Sequence, residues 1–230
     1  MLISLIRSGQ ADLWTVIMYI LSILLTIFLV LPLHEFSHGF VAHKLGDDTA
    51  KRQGRLTLNP LAHIDYMGAA LMLLIGFGWA KPVPINARNF KNPKQGMALT
   101  ALAGPVSNLL AAVAAGLILN GIEAMVYNGV IPINMVVTYV YLFFYFLISV
   151  NIGLAVFNFI PVPPLDGSKI LMAFLPDKAL YWIAQREQMI SMALFVVIMM
   201  GGFNGILSRV DGLLYNAIIW FTNLPFLWAY

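Results

Sequence analysis

An uncharged apolar run from Trp14 to Leu33 leads without a break into His34-Glu35-Phe36-Ser37-His38, and this junction constrains the chain more than any other feature. A helix of about twenty apolar residues is long enough to cross the hydrocarbon core of a bilayer. Residues four apart on a helix lie within about 40° of one another, so His34 and His38 share a face. Two imidazoles so placed can bind one divalent ion, zinc above all, leaving positions for a third ligand and a water. Glu35 lies off that face but within reach of the bound water as a general base. Ionisable side chains at membrane depth are costly and persist there for a functional reason; the plain alternative is a pair of solvated histidines at a helix end. Pro32 deletes the backbone bond to Phe28 and predicts a kink beside the pair. His43, about 180° around the helix from His34, faces away.

The chain has 230 residues, of which 60% are hydrophobic and only 10% charged. Soluble proteins use about 25% charged residues, so the composition implies an integral membrane protein. The expected fold is an all-α polytopic bundle of about five or six transmembrane helices, with a short re-entrant segment and small β-strand elements near the active site. We expect one membrane domain over residues 1–230, with a catalytic core at about 14–170 and C-terminal helices at about 178–230, and no separate soluble domain. The net charge of +3 comes from basic residues clustered in membrane-flanking loops, a topology signal and not a nucleic-acid footprint. The absence of cysteine excludes disulfides and thiolate ligands. The first apolar run is too long for a signal peptide and lacks a small-residue cleavage site.

In chain order, a polar lead (1–13) precedes a helix from Trp14 to about Leu45, stopped by Gly46. A polar loop over 47–65 contains a strand-like Arg55–Asn59. Tyr66–Trp79 is apolar but shorter than the roughly 20 residues of a span. The loops on either side are equally basic, so the segment reads as re-entrant, with 44–65 and 80–97 both cytoplasmic and the N-terminus outside. Trp79–Asn86 reads as extended because Pro82 and Pro84 forbid helix. Gly96–Ile122, rich in Gly, Ala and Ser, predicts a second span suited to close helix contact. Met135–Phe157, carrying Asn151, predicts a third. Three prolines break the apolar Asn158–Gly167, which belongs packed against protein at the membrane edge. Gln188–Leu207 predicts a further span with Gly201-Gly202 as a weak point, and Leu213–Tyr230 either spans or lies in the interface.

A catalytic zinc site needs a third protein ligand. His63 is one candidate. Asp166 is the stronger, because a proline-stiffened apolar loop can hold a carboxylate away from water; its alternative is a capping role for a helix beginning at Gly167. His34-Glu35-Phe36-Ser37-His38, Asn158-x-x-Pro161-x-x-x-x-Asp166-Gly167 and Gly104-Pro105-Val106-Ser107-Asn108 together resemble the site-2 protease family of intramembrane zinc metalloproteases, in its compact bacterial form without PDZ or CBS domain. The extended Gly78–Pro84 is similar to that branch too. The resemblance implies one zinc ion held by His34, His38 and Asp166, with Glu35 as general base. Asn108 and Asn158 would hold the substrate backbone or the oxyanion. It also implies a membrane-protein substrate cut in or near a transmembrane segment, and a prokaryotic cell membrane with the active site nearer the cytoplasmic face. The alternative class is an inactive metal-binding membrane scaffold or a transporter. Finally, Pro82 and Pro84 leave Lys81–Asn86 with one competent pairing edge. Val83 is therefore expected to donate to an unwound substrate strand, unless Arg55–Asn59 fills that edge.

Overall fold

The side chain of Asp12 accepts from Thr15 N at 2.8 Å and starts the first helix. In the computed structural model, which describes residues 12–75, 78–202 and 204–229, α1 (Leu13–Leu25) passes through a π-helical turn (Thr26–Val30) into α2 (Leu31–Lys44). The polar lead at 1–11 lies outside the described residues. Instead of a sharp kink at Pro32, one wide turn precedes it, with Leu31 N bonded to Thr26 O. A proline ring collides with the carbonyl four residues before it in a regular α-helix, and widening that turn moves the carbonyl aside.

Short helices α3 (Thr49–Arg52), α4 (Pro60–His63) and α5 (Tyr66–Ile75) follow, then α6 (Pro93–Tyr127) and α7 (Met135–Asn158). The chain ends in α8 (Asp166–Met172), α9 (Asp177–Met199) and α10 (Asn204–Asn223). Asn92 and Asn134 cap α6 and α7 through their side chains. The core has two halves that meet on α7. On one side Leu147, Ile148 and Ile152 pack against Ala112, Ala115 and Leu119 of α6 and Ile218 of α10. On the other, Phe146 packs against Tyr19, Ile23, Ile27 and Met72. Asn120 of α6 donates to Thr222 Oγ1 of α10 at 2.8 Å, satisfying a polar pair inside the bundle.

Three described helices are long and apolar enough to cross a membrane: Leu13–Lys44, Pro93–Tyr127 and Met135–Asn158. The expected count of five or six spans is not reached on that measure. The predicted span at 188–207 divides instead at Gly201, whose φ of +75° is left-handed and ends α9. The charges Asp177, Lys178, Arg186 and Glu187 in α9 lower its apolar character.

The expected strands reduce, among the described residues, to one antiparallel bridge between Ile64 and Ala80. Arg55–Asn59 forms no strand, because Arg55 reaches across with its guanidinium to the carbonyls of Lys81 (2.8 Å) and Pro82 (3.1 Å). The bridge brings together the two ends of the segment containing α5. That helix has 10 residues and is about 15 Å long, half the hydrocarbon thickness. The returning chain runs flush against it: a Cβ on Gly68 would lie 2.1 Å from the carbonyl oxygen of Trp79.

Asp47 fastens the end of α2 to this returning chain. It is fully buried and accepts from Asn86 N (2.7 Å), Asn89 Nδ2 (2.7 Å) and Thr49 N (3.0 Å). Burial pushes its carboxyl up, but the Thr49, Asn86 and Asn89 donors together outweigh burial and hold it below the usual carboxylate value. A carboxyl depressed on folding contributes stability above its unfolded value, and that contribution is lost as pH falls through the folded value. Asp47→Ala should therefore cost about 1–3 kcal/mol at pH 7, the penalty for stranded buried donors. In thermal melts of purified protein the gap from wild type should narrow below about pH 4. A gap that stays constant from pH 7 to pH 3 would remove the charge from this account.

Candidate metal centre and cleft

His34, Glu35 and His38 leave α2 just inside the bundle, with 5%, 8% and 6% of their surface exposed. What faces them is α6 at its closest approach. A Cβ on Gly104 would sit 2.4 Å from His38 Nε2 and 2.5 Å from His34 Cε1, so only glycine lets the helices meet here. One turn earlier, the carbonyl of Thr100 lies 2.7 Å from His38 Nδ1. A carbonyl can only accept, so His38 carries its proton on Nδ1 and presents a lone pair at Nε2.

That lone pair is one corner of a triangle. His34 Nε2 is 3.1 Å away, and Asp166 Oδ2 lies 3.2 Å from His38 Nε2 and 3.4 Å from His34 Nε2. Zinc–ligand bonds of about 2.0–2.1 Å in a tetrahedron put neighbouring donor atoms about 3.3–3.4 Å apart. The three atoms are therefore spaced as three ligands of one ion, and the residues fit the metal. Asp166 begins α8 without using its side chain as a cap, Leu165 being the cap residue; the capping alternative is not what the carboxylate does. Burial alone would push the Asp166 carboxyl up, but the facing His34 and His38 rings hold it well below the usual range. Its other oxygen, Oδ1, lies 3.6 Å from Lys169 Nζ one turn on.

The ligand atoms of His34, Glu35 and His38 also lie within 4.8 Å of one another. Glu35, the third member of that group, has a further partner: its Oε2 accepts from the backbone N–H of Val83 at 2.9 Å. The expectation that Val83 donates to substrate is thus corrected: its N–H is already taken. Arg55–Asn59 does not fill the edge either, since Lys81 N donates to His63 O at 2.7 Å. His63 is buried and donates from Nε2 to Thr57 O at 2.8 Å, away from the triangle. His43 pairs with Asp48.

A cleft of about 440 Å3 opens over these groups. His34, Glu35, His38 and Asp166 form its base, Trp79–Ile85 one wall, and Leu194 and Phe195 of α9 another. Asn158 lines the cleft and donates through Nδ2 to Leu154 O at 3.0 Å. Asn108 is one turn beyond Gly104 on the same face of α6; it is fully buried, and neither Oδ1 nor Nδ2 has a partner among the described residues. The sequence reading missed the Thr100 carbonyl, the Val83 N–H and the tie made by Asp47. The first two are backbone atoms, which leave no mark in residue identity. Asp47 looks like any loop acid until its donors are seen.

The profile of peptidase family M50 matches residues 22–202. YwhC of Bacillus subtilis, named as a candidate zinc metalloprotease, is 41% identical over 165 residues, which cover 72% of this chain and 74% of that protein. Rip2 of Mycolicibacterium smegmatis, named in the same way, is 29% identical over 69% of this chain and 59% of its own length. Rip2 of Mycobacterium tuberculosis is 27% identical over 76% of this chain and 65% of its own length. No solved structure matches significantly. The matched stretch contains every residue of the triangle and both walls of the cleft, and the chain belongs to peptidase family M50.

Proposed function

We propose that this protein is an intramembrane zinc metalloendopeptidase that cuts membrane proteins in or near a transmembrane segment. The observation that carries the proposal is the triangle of His34 Nε2, His38 Nε2 and Asp166 Oδ2, 3.1–3.4 Å on a side, at the end of a membrane-length apolar run and beside a carboxylate that is not one of its corners. His34, His38 and Asp166 are the ligands. Bound zinc supplies a Lewis acid for the scissile carbonyl and lowers the pKa of a water. Glu35 accepts the proton of that water and delivers it to the leaving amine, a general acid–base contribution of about 10²–10⁴-fold. Thr100, through its carbonyl, keeps His38 in the tautomer that offers Nε2. Asn158, which lines the cleft, and Asn108, buried on α6 with neither amide atom partnered among the described residues, are the amide donors for the oxyanion or the substrate backbone. Removing one such donor typically costs about 10²–10³-fold in rate.

The segment around α5 is re-entrant on this reading: it is too short to cross, and its ends are bridged at Ile64 and Ala80. Residues 44–65 and 80–97 then lie on the cytoplasmic side of a prokaryotic cell membrane, with the zinc nearer that face. One domain carries the activity, with its catalytic core at about 14–170.

Glu35→Gln should keep stoichiometric zinc by elemental analysis and lose cleavage of a membrane-peptide substrate by at least about 100-fold. Asp166→Ala should lose both zinc and activity. Wild-type cleavage by Glu35→Gln would remove the mechanism. Membrane proteins that accumulate uncut in cells expressing Glu35→Gln are the substrates.

Single cysteines at Thr49 and Asn92 should react with an impermeant thiol reagent from the same side, and one at Asn128 from the other, with no background because the native chain has no cysteine. Labelling of Thr49 and Asn92 from opposite sides would make the α5 segment a true crossing.

A further inference from the structure

The bond from Val83 N–H to Glu35 Oε2 is 2.9 Å long and buried, with Val83 7% and Glu35 8% exposed. Pro82 and Pro84 have no N–H, so the wall Pro82-Val83-Pro84 offers a single backbone donor, and it is spent on Glu35. Pro84 restricts Val83 to extended dihedrals, which fixes where that N–H points.

The rest of the segment is held at several points by groups outside it. Lys81 N donates to His63 O at 2.7 Å, Arg55 grips the carbonyls of Lys81 and Pro82, and Asn86 N donates to Asp47 Oδ2 at 2.7 Å. The Val83 side chain sits against Gly39, where a Cβ would lie 3.3 Å from Val83 Cγ1. Gly39 is one turn after Glu35 on α2, so donor and acceptor are registered on the same helix face. Such bracing exceeds what a loop connecting two helices requires, and it ends on one N–H.

We infer that the backbone N–H of Val83 is the positioning donor of Glu35. A carboxylate that accepts a charge-assisted bond on Oε2 is fixed in rotation about its last bond. Oε1 is then left for the water, and Glu35 lines the cleft. The wall segment thus acts on the catalytic base, and substrate does not pair with Val83. This assignment rests on Glu35 being the general base, as proposed above.

The test deletes one atom group. Incorporation of the α-hydroxy acid analogue of valine at position 83 turns the Pro82–Val83 amide into an ester, removing the N–H while keeping the side chain and shape. Val83→Pro, compatible with a proline-flanked extended segment, removes the same donor by an independent route. Glu35→Gln is measured alongside, with kcat, KM and zinc content for each. The expected result is a fall in kcat of about 10–100-fold, the usual effect of losing a group that orients a catalytic residue, with KM within about twofold of wild type and zinc stoichiometric. A rise in KM at unchanged kcat would show that Val83 serves the substrate, and would overturn the assignment. Wild-type kinetics for the ester, or loss of zinc or of folded protein on ester incorporation, would overturn it as well. If Glu35→Gln itself cleaves normally, the general-base reading fails; if Glu35→Gln is dead and the ester is normal, only the role of Val83 fails.

Discussion

The meeting of α2 and α6 at Gly104 is the contact on which the rest of the structure depends. Three potential metal-ligand atoms are brought to 3.1–3.4 Å of one another on residues that are all buried. Such an arrangement suits a single cation, and it forms only if the helix behind it can come close. Gly104 permits the approach and Thr100 one turn earlier orients His38. Asp166 arrives from a separate stretch of chain, delivered by the start of α8. Lys94, in the first turn of α6, holds the turn after α8, with Nζ 3.0 Å from Leu175 O and 2.8 Å from Asp177 Oδ1. The same helix therefore sets the distance of all three ligands.

The region between α2 and α6 solves a different problem. It carries many backbone polar groups close to the bilayer, yet forms almost no regular structure beyond short helices. Its groups are satisfied one at a time, by Asp47, Arg55, the Asn59 cap of α4, and the Ile64–Ala80 bridge. Irregular backbone in a membrane protein is tolerated when it is packed on protein or lines a cavity, and this segment does both. The outcome is a cleft wall whose position is determined by side chains far from it in sequence.

The region matched to peptidase family M50 ends at residue 202, at the glycine break between α9 and α10. Beyond it, α10 contributes Ile218 to the core and Thr222 to the bond with Asn120, so this last helix is part of the packed bundle. α9 has a different role. It makes one side of the cleft through Leu194 and Phe195 while exposing Met189 and Met192.

The sequence alone determined the features that depend on local pattern. Hydropathy and composition marked the three apolar helices, to within about five residues at each end of α6 and closer for α7. The i, i+4 spacing put His34 and His38 on one face, and the Tyr66–Trp79 stretch was marked as shorter than a span, as its 10-residue helix is. Asp166 stood out because a carboxylate in a proline-rich apolar loop needs a partner, and the two histidines now face it. What tertiary structure decided were the contacts between segments. That Lys81–Asn86 would be braced by the side chains of Arg55 and Asp47, 26 to 39 positions away, and by the backbone carbonyl of His63, and not pair as a strand, depends on contacts between distant segments. No window of sequence contains that information. The partners of Val83 N–H and Thr100 O were equally hidden, because every residue has a backbone and only the fold selects which of its groups meets a catalytic side chain.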